Sequence, residues 1–324
     1  MRKVTYPISS NVITELRQVE SEIAGLLGHA PAGVREASRL IFQAGGKRLR
    51  PALVILCSMA GKYDRETATP AAIAVELVHM ASLVHDDILD GAETRRGAPT
   101  AAVAFGRQTA ARVGDFLFGL AFDTAARSES PEIIAPLSIA CMDLSNGELL
   151  QLETAHKADQ SMTTYMNKIS CKTASLFRAS CAMGAIVGGS SPKVTELLAD
   201  FGWHIGMAFQ IYDDVLDIAG DKMALGKPVG TDLLEGTLTL PMIRAMENES
   251  VGALVRKAIC GQLRGQGWVD KVIKAIKSTD CVERAKEEAR QFTLKARQSA
   301  ILLPDGLVRS NLLSLGEFVV NRYH

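Results

Sequence analysis

Apolar residues recur along most of this chain at intervals of three and four. In the first segment Ile13, Leu16, Val19, Ile23 and Leu26 form one stripe over roughly four helical turns. Ala71–Asp90, Met162–Gly184, Val194–Ile218 and Val282–Leu302 read the same way. There is no sustained polar/apolar alternation and no Asn-Gly or Asp-Gly turn between β-branched runs, so strands have little to build on. The interruptions are short. Gly45-Gly46 precedes Pro51, Gly61 to Pro70 reads as a polar loop, and Gly91–Pro99 is charged and turn-rich. Ser190–Pro192, Gly226–Gly236 and Pro304-Asp305-Gly306 complete the set. No composition shift or fixed-period repeat divides the chain. The pattern predicts one all-α domain over 1–324, with any site at helix ends facing the polar loops.

Composition narrows what such a domain does. Its 324 residues are 47% hydrophobic, enough for a substantial core. Lys+Arg and Asp+Glu are both 36, so the formal net charge is +0. A protein that coats nucleic acid or an anionic membrane is disfavoured, and any anion site must be a local cluster. The cysteines at 57, 141, 171, 181, 260 and 281 form no CxxC pair and have no close His partner. They read as free, mostly buried thiols in a reducing compartment. The N-terminus has two basic residues without a long apolar run behind them, and no charge-free window reaches 18 residues. Neither a signal peptide nor a transmembrane segment is expected, and the expected location is cytoplasmic.

Two acidic clusters carry the chemistry. His85-Asp86-Asp87-Ile88-Leu89-Asp90 closes an apolar helix, and Asp86 and Asp90 lie one turn apart on one face. Tyr212-Asp213-Asp214-Val215-Leu216-Asp217 repeats the pattern after a second apolar helix. One such run is often only a solvated helix end. Two of them, each behind apolar residues, crowd carboxylates that repel unless cations neutralise them. Hard oxygen ligands without a thiol suit magnesium, which is usually held by one or two carboxylates plus substrate phosphates. An EF-hand is disfavoured, because the D-x-D-x-D-G spacing is missing.

Cations for a phosphorylated ligand are spread along the chain. Gly45-Gly46-Lys47-Arg48-Leu49-Arg50-Pro51 is a basic loop, Arg95-Arg96-Gly97 follows the first cluster, Lys172-Thr173 begins or interrupts a helix, and Lys227 follows the second cluster. Singly each reads as a surface charge; with the aspartates they read as a diphosphate cage. No GxxxxGK[ST] loop is present, which disfavours a nucleoside triphosphatase.

In this order, GGKRLRP, ELVHMASLVHDDILD, RRG, KT, FQIYDDVLD and GKPVGTD make the chain resemble the trans-isoprenyl diphosphate synthases, or polyprenyl synthetases, from about residue 10 to the last helix. The resemblance implies the isoprenoid synthase helical bundle, usually a homodimer, with both aspartate clusters facing across a deep central cavity. It implies Asp86 and Asp90 as Mg2+ ligands on one wall, and Asp213 and Asp217 on the other. Lys47, Arg50, His79 and Arg96 match the site for isopentenyl diphosphate. Arg95, Lys172, Thr173, Gln210 and Lys227 match the groups around an allylic diphosphate such as farnesyl diphosphate, with Thr173 and Gln210 beside the carbocation.

In such enzymes the residues just ahead of the first cluster limit product length. Ala81 and Ser82 are small, Val78 and Ala74 are modest, and no two-residue insertion widens the cluster. These features imply a long product, roughly C30 to C50, unless Met80, Phe116, Phe118 or Phe122 forms a floor. The alternatives are a geranylgeranyl or farnesyl diphosphate synthase, or one subunit of a heteromeric synthase. A terpene cyclase would not need Lys47, Arg50 and Arg96. One departure stands out: the family's usual DLREGKxTLP run has Leu234 for its arginine and Thr237 for its lysine.

Overall fold

The computed structural model describes residues 7–220, 229–263 and 265–321. Lys227 lies outside the described residues. The first stripe forms α1 (Ser10–Gly28), whose buried face is Val12, Leu16, Val19, Ile23 and Leu27. Ile13 and Leu26 flank that face half-buried, so the helix is rotated slightly from the predicted stripe. α2 (Ala32–Gln43) leads through the basic loop into α3 (Leu49–Ser58), an almost wholly buried helix.

α4 (Arg65–Leu89) starts earlier than Gly61–Pro70 suggested, with Pro70 inside it. The Asp64 side chain accepts from the Glu66 amide and caps the helix. Pro70 falls in the second turn, where the proline removes one donor without ending the helix. The Gly91–Pro99 region holds a minimal antiparallel ribbon, β1 (Thr94–Arg95) with β2 (Ala98–Pro99). Its turn is Arg96-Gly97, at φ 54° and 80°. Two positive φ values are what a tight hairpin needs, but here Arg occupies a position usually signalled by Asn or Asp.

Next come α5 (Ala101–Phe105), α6 (Arg107–Ala126), and α7 (Ile134–Thr154) behind a 3-10 turn. α8 (Met162–Ile169) continues into a π-helical turn, Ser170–Ala174, and then α9 (Ser175–Val187). α10 (Pro192–Ala219) is followed by α11 (Thr231–Leu234), α12 (Leu240–Ala245), α13 (Glu249–Ile259), α14 (Trp268–Lys277), α15 (Cys281–Ile301) and α16 (Leu307–Asn321).

α9 is the hub. It packs against α3 and α4 on one side and α10 on the other, while α6 covers α4 and α15 covers α10. Glycines permit this approach. A Cβ on Gly184 would stand 2.4 Å from the Val54 carbonyl oxygen, and one on Gly206 would stand 2.6 Å from Ala174 Cα. The two helices that end in aspartates, α4 and α10, are thereby set on either side of one shared neighbour.

All six cysteines are free. Cys57, Cys181 and Cys281 are buried, Cys141 and Cys171 are half-buried, and Cys260 is exposed, so burial is less general than expected. By length and hydropathy two helical stretches, Arg65–Leu89 and Pro131–Thr154, are apolar enough to cross a bilayer once a window may hold up to two charges. The first has 72% of that window buried, as a core helix does; the second has only 22%.

Candidate active site

The open face of α4 carries His79, Ser82, Asp86 and Asp90, all at least partly accessible. Ala74, Val78 and Ala81 have no accessible surface, so they pack against neighbouring helices instead of bounding an open channel. Burial pushes the Asp86 carboxyl up to about 8, opposed by Lys172 and reinforced by the adjoining Glu148 carboxyl. Asp90 is raised for the same leading reason. Asp87 points away and accepts from Arg95 Nε at 2.7 Å, which ties the ribbon to the middle of the cluster.

The basic loop divides its labour. Arg48, at φ 48°, donates to Glu76 at 2.5 Å, to Glu20 at 3.1 Å and to the Phe42 carbonyl, and so anchors the loop. Lys47 and Arg50 flank it, over the rings of Phe209 and Phe177 respectively. Arg50 is half-buried, but its Nε is shut off from solvent and has no hydrogen-bond partner. Burial lowers its pKa to about 10, against the pull of Glu76 and Asp213. His79 is surrounded by Arg50, Arg96, Arg95 and Arg48, and burial foremost holds it well below the usual histidine range. Gly46 leaves room for Arg96: a Cβ there would lie 2.8 Å from Arg96 Nη1. Arg50, His79 and Arg96 thus lie within electrostatic reach of one another, and Lys47 sits over the ring next to the one beneath Arg50.

The π-turn presents Lys172 and Thr173 in opposite directions. A π-turn places successive side chains differently from a regular helix, and such turns are frequent at functional sites. Lys172 Nζ is ion-paired with Glu148 and donates to Gln151 Oε1 at 3.1 Å, both on α7. Gly147 is needed beneath it, because a Cβ there would meet Lys172 N at 2.8 Å. Thr173 Oγ1 donates to Gln210 Oε1 at 2.7 Å. Gln210 Nε2 in turn donates to Asp214 Oδ1 at 2.8 Å, and the Tyr165 hydroxyl donates to Asp214 Oδ2 at 2.7 Å.

The second acidic cluster therefore splits by role. Asp214 is a buried anchor, pushed up to about 6 by burial against those two donors. Asp217 accepts from the amides of Thr231 at 3.0 Å and Asp232 at 3.2 Å, which fastens α11 to the end of α10. Asp213 interacts electrostatically with Arg50. Glu235 lies within electrostatic reach of both Asp90 and Asp217 and is pushed up to about 7, chiefly by burial. The two clusters thus meet at one end of the bundle. Among the described residues, no three His, Cys, Asp or Glu side chains gather closely enough to hold a metal ion by themselves.

Sequence reasoning missed Glu148, Gln151, Tyr165 and Glu235. A signal existed for the first two in Gly147, a glycine inside a helical pattern one residue before an acid. Tyr165 has none, since it reads as an ordinary core aromatic.

An all-α bundle whose helix ends bring two carboxylate clusters close to a group of cationic side chains has the charge pattern of a site for a metal-bound anion. Residues 31–276 match the family model "Polyprenyl synthetase", and the chain belongs to that family. Component 2 of the heptaprenyl diphosphate synthase of Geobacillus stearothermophilus is 37% identical over 308 residues, 95% of this chain and 96% of the relative. The octaprenyl diphosphate synthase of Haemophilus influenzae is 36% identical over 95% of this chain and 94% of its own. The heptaprenyl diphosphate synthase of Staphylococcus aureus superposes with a TM-score of 0.90 at 34% identity, covering 96% of this chain and 98% of that one. A polyprenyl synthase from Caulobacter crescentus, solved with calcium and isoprenyl diphosphate, gives 0.88 at 30%, covering 98% and 99%. The enzyme is a prenyltransferase of the trans-polyprenyl diphosphate synthase kind.

Proposed function

We propose that the chain is a long-chain all-trans polyprenyl diphosphate synthase, extending an allylic diphosphate with isopentenyl diphosphate to products of roughly C30 to C50. The observation that carries this reading is the π-turn, whose adjacent residues are wired to both acidic clusters, Lys172 through Glu148 to Asp86 and Thr173 through Gln210 to Asp214. The small Ser82 on the accessible face of α4 and relatives named heptaprenyl, octaprenyl and nonaprenyl synthases support the product class.

The donor set fits a hard divalent cation: Asp86, Asp90 and Asp213 offer carboxylates without thiols, and burial leaves Asp86 reluctant to ionise alone. Magnesium bound there would neutralise charge as diphosphate departs from the allylic carbon. Lys172, and Lys227 beyond the described residues, would hold that diphosphate. Arg50, with its unpartnered Nε, would grip isopentenyl diphosphate together with Lys47, His79 and Arg96. Thr173 and Gln210 oxygens would face the developing allylic cation, and the apolar surroundings would keep water from it. The double bond of isopentenyl diphosphate would then form the new carbon–carbon bond at the allylic carbon that diphosphate has left, and the departed diphosphate would take up the proton released.

One exposed stripe supports a homodimer. Ile139, Met142, Leu149 and Leu152 of α7 are 54%, 62%, 58% and 54% accessible along one side. A second copy of the chain would cover it. Free thiols at every cysteine suit a cytoplasmic enzyme.

The test is incubation with magnesium, farnesyl diphosphate and labelled isopentenyl diphosphate, with products sized by chromatography. A ladder ending above C25 is expected, and Asp86→Ala or Asp213→Ala should abolish it without loss of fold. A stop at C20 would replace the long-chain reading with a geranylgeranyl one. No incorporation with any primer would make the chain a subunit requiring a partner.

A further inference from the structure

Resting on that reading, we infer that Lys168 of α8 contributes to the allylic diphosphate subsite the positive charge that the segment 232–241 lacks at Thr237. Tyr165, Lys168 and Lys172 stand at i, i+3 and i+7, one face of α8 running into the π-turn. Tyr165 reaches Asp214 at one end and Lys172 reaches Glu148 at the other. Lys168 sits between them, 4% exposed. Its ammonium donates one long bond, 3.5 Å, to the carbonyl of Leu238, the residue after Thr237.

Burying an ammonium on one weak bond is costly, and Met or Leu would fill the same space at no such cost. The charge has no full counterion in the protein. Among the described residues Lys168 makes no ion pair; Asp214 and Asp232 act on it only at longer range. Asp214 is already engaged by Tyr165 and Gln210. Asp232 lies beyond ion-pair distance of Lys168, and its own amide is held by Asp217. Lys168 lies within electrostatic reach of Lys172, so the two charges repel. A multiply charged anion beside Lys172 would relieve that repulsion and supply the missing counter-charge; in a low-dielectric wall this needs no direct contact.

The position of the charge is thus moved between elements, from the 232–241 segment to α8, and a transposition tests it. Binding of farnesyl S-thiolodiphosphate, an analogue that resists ionisation, is measured by calorimetry in magnesium, alongside KM for isopentenyl diphosphate. Lys168→Met should weaken the analogue about tenfold, the scale of one charge-assisted interaction, and leave isopentenyl diphosphate within about twofold. Adding Thr237→Lys to that variant should return the affinity to within about threefold of the wild type. Unchanged affinity in Lys168→Met, equal weakening of both substrates, or no recovery in the double variant overturns the inference. Thr237→Lys alone keeps the question open to refutation if Lys168→Met does not fold. It should change affinity less than about threefold, because the charge is already present, and a tenfold gain would show that it was missing. Wild-type protein that binds no analogue overturns the allylic subsite itself, and Lys168 with it.

Discussion

The Thr173 hydroxyl donates to Gln210 Oε1 at 2.7 Å, and this bond joins the π-turn to α10. It also fixes the amide orientation of Gln210, because the same side chain must donate its nitrogen to Asp214. Thr173→Val keeps the shape and removes the donor. We expect kcat to fall about tenfold while KM for isopentenyl diphosphate holds, since the oxygens proposed to face the allylic cation lose their orientation. Steady-state kinetics with both substrates varied will check this. A rise in that KM with kcat unchanged would reassign Thr173 to the other subsite.

His79 should act as a neutral group. Its folded pKa is depressed by burial and by four arginines, so above the ordinary histidine range it carries no charge. His79→Gln should therefore keep KM for isopentenyl diphosphate within about threefold between pH 6 and 8. The stability consequence has a definite sign. As pH falls below about 6.5 the unfolded chain takes a proton that the folded site resists, so stability drops. Melting curves of the wild type should fall more steeply below that pH than those of His79→Gln.

The exposed α7 stripe should hold the dimer. Met142, 62% accessible, lies on it beside Ile139, and Met142→Glu places a charge at the proposed interface. Sedimentation should show the wild type as a dimer and the variant shifted to monomer. A wild-type monomer would remove the second copy as the occupant of this face.

Helix contact through glycine sets the distance between the two walls. Gly184→Ala places its Cβ 2.4 Å from the backbone of α3, which cannot yield as a side-chain tip can. A loss of about 1–3 kcal/mol in urea unfolding is expected. Gly119→Ala, with nothing within 4 Å of its Cβ, should be neutral or stabilising by up to about 1 kcal/mol.

Much of the site was legible because its charges lie on regular helices. Asp86 and Asp90 share a face by spacing alone, and His79 extends that face by two turns. The ribbon at Thr94–Pro99 was not legible, since Arg96 holds a backbone conformation that its residue type does not announce. Nor was the start of α4, because Pro70 masked a helix that Asp64 had already capped.

Periodicity and motif order in the sequence determined the all-α class, the two aspartate clusters and the identity of most cations. These are local properties, set by which residues follow one another at three- and four-residue steps. Tertiary structure alone decided that Asp213 lies within electrostatic reach of Arg50, that Asp214 is held by Tyr165 and Gln210 and Asp217 by two amides of α11, and that Glu148 joins Asp86 to Lys172. Those assignments depend on which helix packs against which. Close approach at Gly147, Gly184 and Gly206 brings together residues far apart in the chain, and burial then sets their charge.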